Sequence, residues 1–232
     1  MVSTGASDAH DAWNALSVPW QICLDEAWQS WRDGSAGVGA AIVDPRGRVV
    51  ARGRNRRHDP RGPEGALWGT RLAHAEMCAL AALPAGFPTS SCELYTTFEP
   101  CLMCAAAIMM AHVPRVHFAA ADPIFDGMHD WLRELRWAVD RMPERSSLGG
   151  PIGAFAHVLH LSWLAFWFGD GPTIAPHGEV AAAHLALAST IATDSPLAAI
   201  AARRGDVTDA IAALWEDLLA LPALGAAQDA TA

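Results

Sequence analysis

The chain has 232 residues, is 52% hydrophobic and 18% charged, and carries a formal net charge of −9. This length and apolar content suit a packed core, in one large domain or a domain with an extension, and argue against disorder except at the ends. The acidic balance argues against a general nucleic-acid binder, and five unevenly spaced cysteines, at 23, 78, 92, 101 and 104, argue against a disulfide scaffold.

The opening "MVSTGASDAHDAW" has no basic stretch followed by an apolar one, so no signal peptide is expected and a reducing cytoplasm is the expected setting. Trp20, Leu24, Ala27, Trp28 and Trp31 recur at three- and four-residue spacing, which predicts an amphipathic helix ending at Asp33-Gly34. "GVGAAIVD" and "GRVVARGRN" read as two strands joined by the turn "DPRG". Eight of the sixteen basic residues are arginines within 46–71, a window of charge +6 in a chain that contains no lysine. A Gly/Pro-rich loop, "RHDPRGPEGALWGTR", leads into a helix predicted from about His74 to Leu83. "CELYTTF" is the third strand, Pro100 to about Ala111 the next helix, and "RVHFAAA" the fourth strand. Strands alternating with helices indicate an α/β layered domain.

Beyond residue 122 the strand pattern stops, and segments 129–139, 151–168, 178–192 and 207–221 look helical. The apolar run "GAFAHVLHLSWLAFWF" approaches the length of a membrane span. Its two histidines, its serine and its weakly charged flanks favour a buried or dimer-forming helix, so no membrane is expected. Within it, His157 and His160 read as satisfied core histidines and not as ligands. The division expected is a domain over 1–140 and a helical C-terminal extension over 141–232, serving as pocket cover, oligomer interface or both.

"FEPCLMCAAA" places Cys101 and Cys104 three apart after a proline that suits a first helical turn. Both thiols then sit on one face at the positive end of a helix, which favours the metal-binding thiolate. By itself the pair leaves a thioredoxin-like redox couple open. "AHAEMCAL" adds His74, and two thiolates with one imidazole make three ligands for tetrahedral zinc with a position left for water. Glu76 lies two residues on, which an ideal helix would turn about 200° away. At a looser helix start it can stand beside that water as a proton carrier.

H-A-E followed by P-C-x-x-C resembles the zinc-dependent cytidine and deoxycytidylate deaminase-like superfamily over about residues 20–125. "YTTFEPCLMCAAAIMMAHVPRV" is most similar to the branch of tRNA adenosine deaminases, guanine deaminases and fungal-type cytosine deaminases. The resemblance implies a three-layer α/β/α fold with a mixed central sheet. It also implies zinc on His74, Cys101 and Cys104, and Glu76 as the catalytic acid–base. Asn55 falls at the position that contacts the base, with a turn-forming role equally open from sequence, and Trp68 and Ala75 flank the zinc helix as further substrate contacts. The implied reaction is hydrolytic release of ammonia: zinc lowers the pKa of water to about 7, and the resulting hydroxide attacks the amino-bearing ring carbon. A scaffold that kept zinc and lost activity is the reading from another class, against which the intact Glu76 stands.

Two departures point to a small nucleobase, nucleoside or close analogue as substrate, with tRNA second. The loop before His74 is long and Gly/Pro-rich, as lids are. The extension adds Trp163 and Trp167, which can close a pocket. The arginine cluster points the other way, towards phosphates, or is a solvated face. A homodimer is the expected assembly.

Overall fold

The computed structural model describes residues 8–193 and 196–224. Residues 1–7, part of the stretch read for a leader, and the tail 225–232 lie outside them.

Helix α1 (Ala9–Asn14) starts on Asp8, whose carboxylate accepts from the N–H groups of His10 and Asp11. Helix α2 (Val18–Arg32) buries Trp20, Leu24, Ala27 and Trp28, the face the sequence periodicity predicts. Strands β1 (Gly39–Val43) and β2 (Val49–Arg54) follow as an antiparallel hairpin. Its turn is closed by Asp44, which accepts from the backbone of Arg46 and Arg48 and from the Arg48 guanidinium. Then come α3 (Ala75–Ala81), β3 (Glu93–Phe98), α4 (Leu102–Met110) and β4 (Arg115–Ala120). The chain continues through α5 (Met128–Arg133), β5 (Glu144–Ser147) and α6 (Gly150–Phe168). It finishes with α7 (Ala175–Val180), α8 (Ala182–Thr193), α9 (Pro196–Ala202) and α10 (Val207–Ala220).

The sheet order is β2-β1-β3-β4-β5, antiparallel as far as β3 and parallel from there. All five residues of β1 are buried, as a strand covered on both faces must be. Two glycines show what covers it. A Cβ on Gly39 would sit 2.1 Å from Cys23 O of α2, and one on Gly53 would sit 2.4 Å from Ala79 N of α3. Gly53 is paired with Ala40, the neighbour of Gly39. The two glycines therefore face opposite sides, and α2 and α3 lie on opposite sides of the sheet. This is the three-layer α/β/α arrangement with a mixed sheet.

Strand β5 is a correction to the reading that strands stop at residue 122. Its sequence, "ERSS", has no apolar alternation because it is a polar edge strand. The helix predicted over 129–139 ends at Arg133, after which the chain runs on in three-residue turns, Leu135 N–H to Leu132 O and Ala138 N–H to Leu135 O. The helix predicted over 178–192 is two helices, broken where Ala181 leaves helical geometry at φ −141° and ψ 42°.

Helix α6 is long and apolar enough to cross a membrane. It packs within the chain against β3, β4, α2, α8 and α10. Tryptophans tie it and its neighbours to the amino-terminal half. The indole N–H of Trp31 donates to Ser162 Oγ at 2.9 Å, that of Trp163 to Gly34 O at 3.1 Å, and that of Trp28 to Gly205 O at 2.9 Å.

Candidate functional site

The ends of two helices meet over the sheet. His74 is the N-cap of α3 (φ −72°, ψ 156°) and Cys101 the N-cap of α4 (φ −65°, ψ 171°). Cys101 thus stands just before the helix that the sequence starts at Pro100, and Cys104 lies inside its first turn. Cys101 Sγ is 3.7 Å and Cys104 Sγ 3.6 Å from His74 Nδ1. All three atoms lie within 4.8 Å of one another. Tetrahedral zinc, with bonds of about 2.3 Å to sulfur and about 2.0 Å to nitrogen, separates such atoms by roughly 3.6 Å. The donor set and its spacing fit zinc.

Without a metal the electrostatics favour one thiolate, and the second thiol gives up its proton when a metal binds. A hydrogen bond from the Cys104 thiol holds the Cys101 thiol down to about 4, so Cys101 is a thiolate. Cys104 keeps the shared proton, and its pKa is pushed up by this bond and by burial. Burial disfavours the charged form of His74, but the hydrogen bond with Cys101 and the charges of Glu76 and Cys101 outweigh it and raise its pKa.

Glu76 is 3% exposed, with Oε2 3.4 Å from Cys104 Sγ and Oε1 3.4 Å from Thr96 Oγ1. Burial raises its pKa. Because His74 has extended backbone, the 200° separation of an ideal helix does not apply, and the imidazole and the carboxylate share one side. Glu99, just before Pro100, is also buried. It pairs with Arg145 of β5, and its Oε2 accepts from Asp122 N–H at 2.8 Å. The polar strand missing from the sequence reading therefore anchors the strand end that carries the cysteines. Serine and arginine in a run without apolar alternation gave no signal for this.

The loop into His74 is held at its base by Arg56 N–H to Ala73 O and Gly69 N–H to Arg56 O, both 2.9 Å. Asp59, 4% exposed, binds Arg54 at 2.7 Å and Arg56 at 3.0 Å. Asn55 is buried and its Oδ1 accepts from Arg57 N–H at 3.1 Å. Ala75 is fully buried in the first turn of α3. Trp68 is 40% exposed, its ring lying close over Gly62. Helix α6 packs on this loop, the His58 ring lying 5.5 Å from that of Trp163 and 4.4 Å from that of Trp167.

Histidines 157, 160, 177 and 184 gather behind Phe98. The ring of His157 lies 5.6 Å from that of Phe98 and 5.0 Å from that of His184. His157 is fully buried and neither of its nitrogens has a hydrogen-bond partner among the described residues. The Nδ1 atoms of the other three are likewise unpartnered. The reading of His157 and His160 as satisfied is corrected on this point: they are packed as apolar rings. Burial holds them neutral, pushing His157 down to about 2, His160 to about 3 and His177 to about 4.

The zinc-binding region of cytidine and deoxycytidylate deaminases matches residues 17–120. A tRNA-specific adenosine deaminase of Aquifex aeolicus is 32% identical over 111 residues, which are 47% of this chain and 68% of that protein. A cytosine deaminase of Candida albicans is 32% identical over 99 residues, 41% of this chain and 60% of that protein. Among solved structures, a guanine deaminase from Nitrosomonas europaea aligns with a TM-score of 0.44 at 22% identity, covering 65% of this chain and 86% of that one.

Proposed function

We propose that this chain, which belongs to the zinc-binding cytidine and deoxycytidylate deaminase family, is a hydrolytic deaminase of a small nucleobase, nucleoside or close analogue. The observation that carries this reading is a buried carboxylate, Glu76, against a His/Cys/Cys cluster spaced for zinc. Zinc held by His74, Cys101 and Cys104 supplies a Lewis acid that activates water.

Glu76 takes the proton from that water as its oxygen adds to the amino-bearing ring carbon. It passes that proton to the ring nitrogen, then takes the second proton from the added hydroxyl as the carbonyl forms and gives it to the departing amino group. The carbon–nitrogen bond breaks, ammonia leaves and a ring carbonyl remains. Proton transfer by a positioned group of this kind contributes about 10²–10⁴-fold. Asn55, Trp68 and Ala75 are the substrate contacts in this reading, and residues 141–232 are the pocket cover. The small-substrate preference is supported by Trp163 and Trp167 of α6, packed on His58 where a wide mouth would be needed for RNA.

Free thiols in all five cysteines suit a reducing, cytoplasmic setting. A homodimer is supported by exposed Leu102 and Met110 on α4 and by Phe166 and Trp167 at the end of α6. The second reading, adenosine-to-inosine deamination in tRNA, is favoured by the identity to the Aquifex tRNA-specific adenosine deaminase.

The test is ammonia release from cytosine, guanine, adenine and their nucleosides by zinc-loaded protein, beside the Glu76→Ala variant. Glu76→Ala keeps its zinc and loses turnover by about 10²-fold or more. Substantial turnover in the variant, or inosine formed in tRNA with every small substrate inert, overturns the proposal.

A further inference from the structure

Strands β3, β4 and β5 set three polar side chains in a row. Tyr95, His117 and Ser146 are direct partners across the parallel ladder, so they face the same side of the sheet. That side is the one covered by α2, because the Tyr95 ring meets that of Trp20 at 5.1 Å. Thr96, the next residue, turns the other way and reaches Glu76 of α3. The row therefore lies on the face of the sheet opposite the zinc cluster.

Ser146 Oγ lies 2.6 Å from His117 Nδ1, and His117 Nε2 lies 2.9 Å from Glu93 Oε2. The other Glu93 oxygen is held by Arg115 Nε at 2.9 Å. Burial raises the Glu93 carboxyl, but the hydrogen bond and charge of His117 and the charge of Arg115 outweigh it and hold the pKa below its ordinary value. An ionised Glu93 accepts from Nε2–H, which leaves Nδ1 to accept from the Ser146 hydroxyl. One tautomer satisfies both bonds, in the order nucleophile, base, orienting acid. Ser146 is exposed, so its hydroxyl is open to a reactant. Strand β5 is also an edge. Its flanking N–H groups at Glu144 and Leu148 bond to Pro114 O and Phe118 O. Alternate residues bond to the neighbour in such a ladder, so Ser147 N–H points to the edge, where no strand stands among the described residues. This amide follows the nucleophile and is free to donate to the oxygen of an attacked carbonyl. The Tyr95 and His117 rings, 4.4 Å apart, continue to Trp20 as an apolar ledge.

We propose that this cluster is a second catalytic site, an esterase centre for small aryl or short-chain acyl esters. Ser146 is its nucleophile, His117 its base, and Glu93 the positioning residue that holds the ring. It goes beyond the deaminase reading and needs no zinc. Ser146 Oγ attacks the ester carbonyl carbon, and its proton passes to His117 Nδ1. The bond from that carbon to the alcohol oxygen breaks, the alcohol leaves with the proton from Nδ1, and the acyl group stays on Ser146. Water then attacks the acyl carbon and gives a proton to His117. That proton returns to Ser146 Oγ as the acid departs.

The test is hydrolysis of p-nitrophenyl acetate by the zinc-loaded chain, with a fluorophosphonate as second probe and the adduct located by mass spectrometry. The wild type should release one equivalent of nitrophenol per chain in a burst and carry the acetyl or phosphonyl group on Ser146. Ser146→Ala, which removes one oxygen from an exposed edge position, abolishes both. His117→Phe slows the burst by about 10²-fold. Glu93→Gln slows it while final labelling stays at one per chain, whereas a merely structural role would reduce the extent of labelling. No adduct on Ser146 in the wild type, or labelling equally fast in His117→Phe, overturns the site. Ester hydrolysis without a Ser146 adduct assigns the turnover to another group and overturns it as well. Ammonia release is read on the same samples: its absence beside Ser146 labelling refutes the deaminase reading and leaves the esterase site standing.

Discussion

Replacing His157 with leucine should make the protein less sensitive to acid. The residue is fully buried, both ring nitrogens are unpartnered among the described residues, and its pKa is pushed down to about 2. In the unfolded chain it titrates near 6.5. Between these values the unfolded state binds the proton and the folded state does not. The stabilisation is therefore full above about pH 6.5 and is lost as pH falls. At pH 5.5 the loss is about 1.4 kcal/mol for one such histidine. His160 and His177, at about 3 and 4, respond alike, for up to about 4 kcal/mol from the three, against a typical stability of roughly 5–15 kcal/mol.

The groups facing His157 are His160 on its own helix, His177 on α7, His184 on α8 and the uncharged Phe98 on β3. Asp122 works in the opposite sense. Burial raises it to about 7, so its protonation on acidification returns about 2 kcal/mol. The wild-type curve alone is for that reason not diagnostic, and the comparison with His157→Leu is. Urea unfolding of zinc-loaded protein at pH 7.5 and 5.5 measures it. The variant should lose about 1.4 kcal/mol less than the wild type over that interval. Equal losses in the two proteins would refute the reasoning.

Elemental analysis should find one zinc per chain, and Cys101→Ala with Cys104→Ala together should abolish it; retained zinc refutes the ligand set. Gly53→Ala forces a Cβ to 2.4 Å from Ala79 N and 2.5 Å from Ala75 O, so α3 must move. It should lower stability by about 1–3 kcal/mol and weaken zinc retention, read by urea midpoint and chelator competition. Light scattering at micromolar concentration should report a dimer, and Met110→Glu should shift it towards monomer; a monomeric wild type overturns that expectation.

The parts of the fold that bury a regular stripe were legible in the sequence. The α2 face follows from periodicity, the β1–β2 hairpin from its two strands and the turn between them, and α6 from its apolar run. The zinc cluster was legible because its chemistry needs particular residues at particular helix starts. What escaped was set by tertiary pairing. Strand β5 is polar because it lies at an edge, and its purpose, to bring Arg145 to Glu99, involves residues 46 positions apart. The arginine cluster could not be divided from sequence, since Arg52 finds Glu26 and Arg54 finds Asp33 only once α2 lies on the sheet. Nor could the four histidines be recognised as one group, because they come from three helices.

The indole of Trp28 binds a carbonyl 177 residues further along the chain. A ribosome adding about 5–20 residues per second exposes Gly205 roughly 10–35 s after Trp28 emerges. During that interval α2 and the hairpin beneath it can form, and Trp31 gains Ser162 once α6 emerges, but the Trp28 indole still lacks its carbonyl. The last helices to be synthesised thus complete the cover on α2, and a chain truncated before Gly205 would leave Trp28 without that partner.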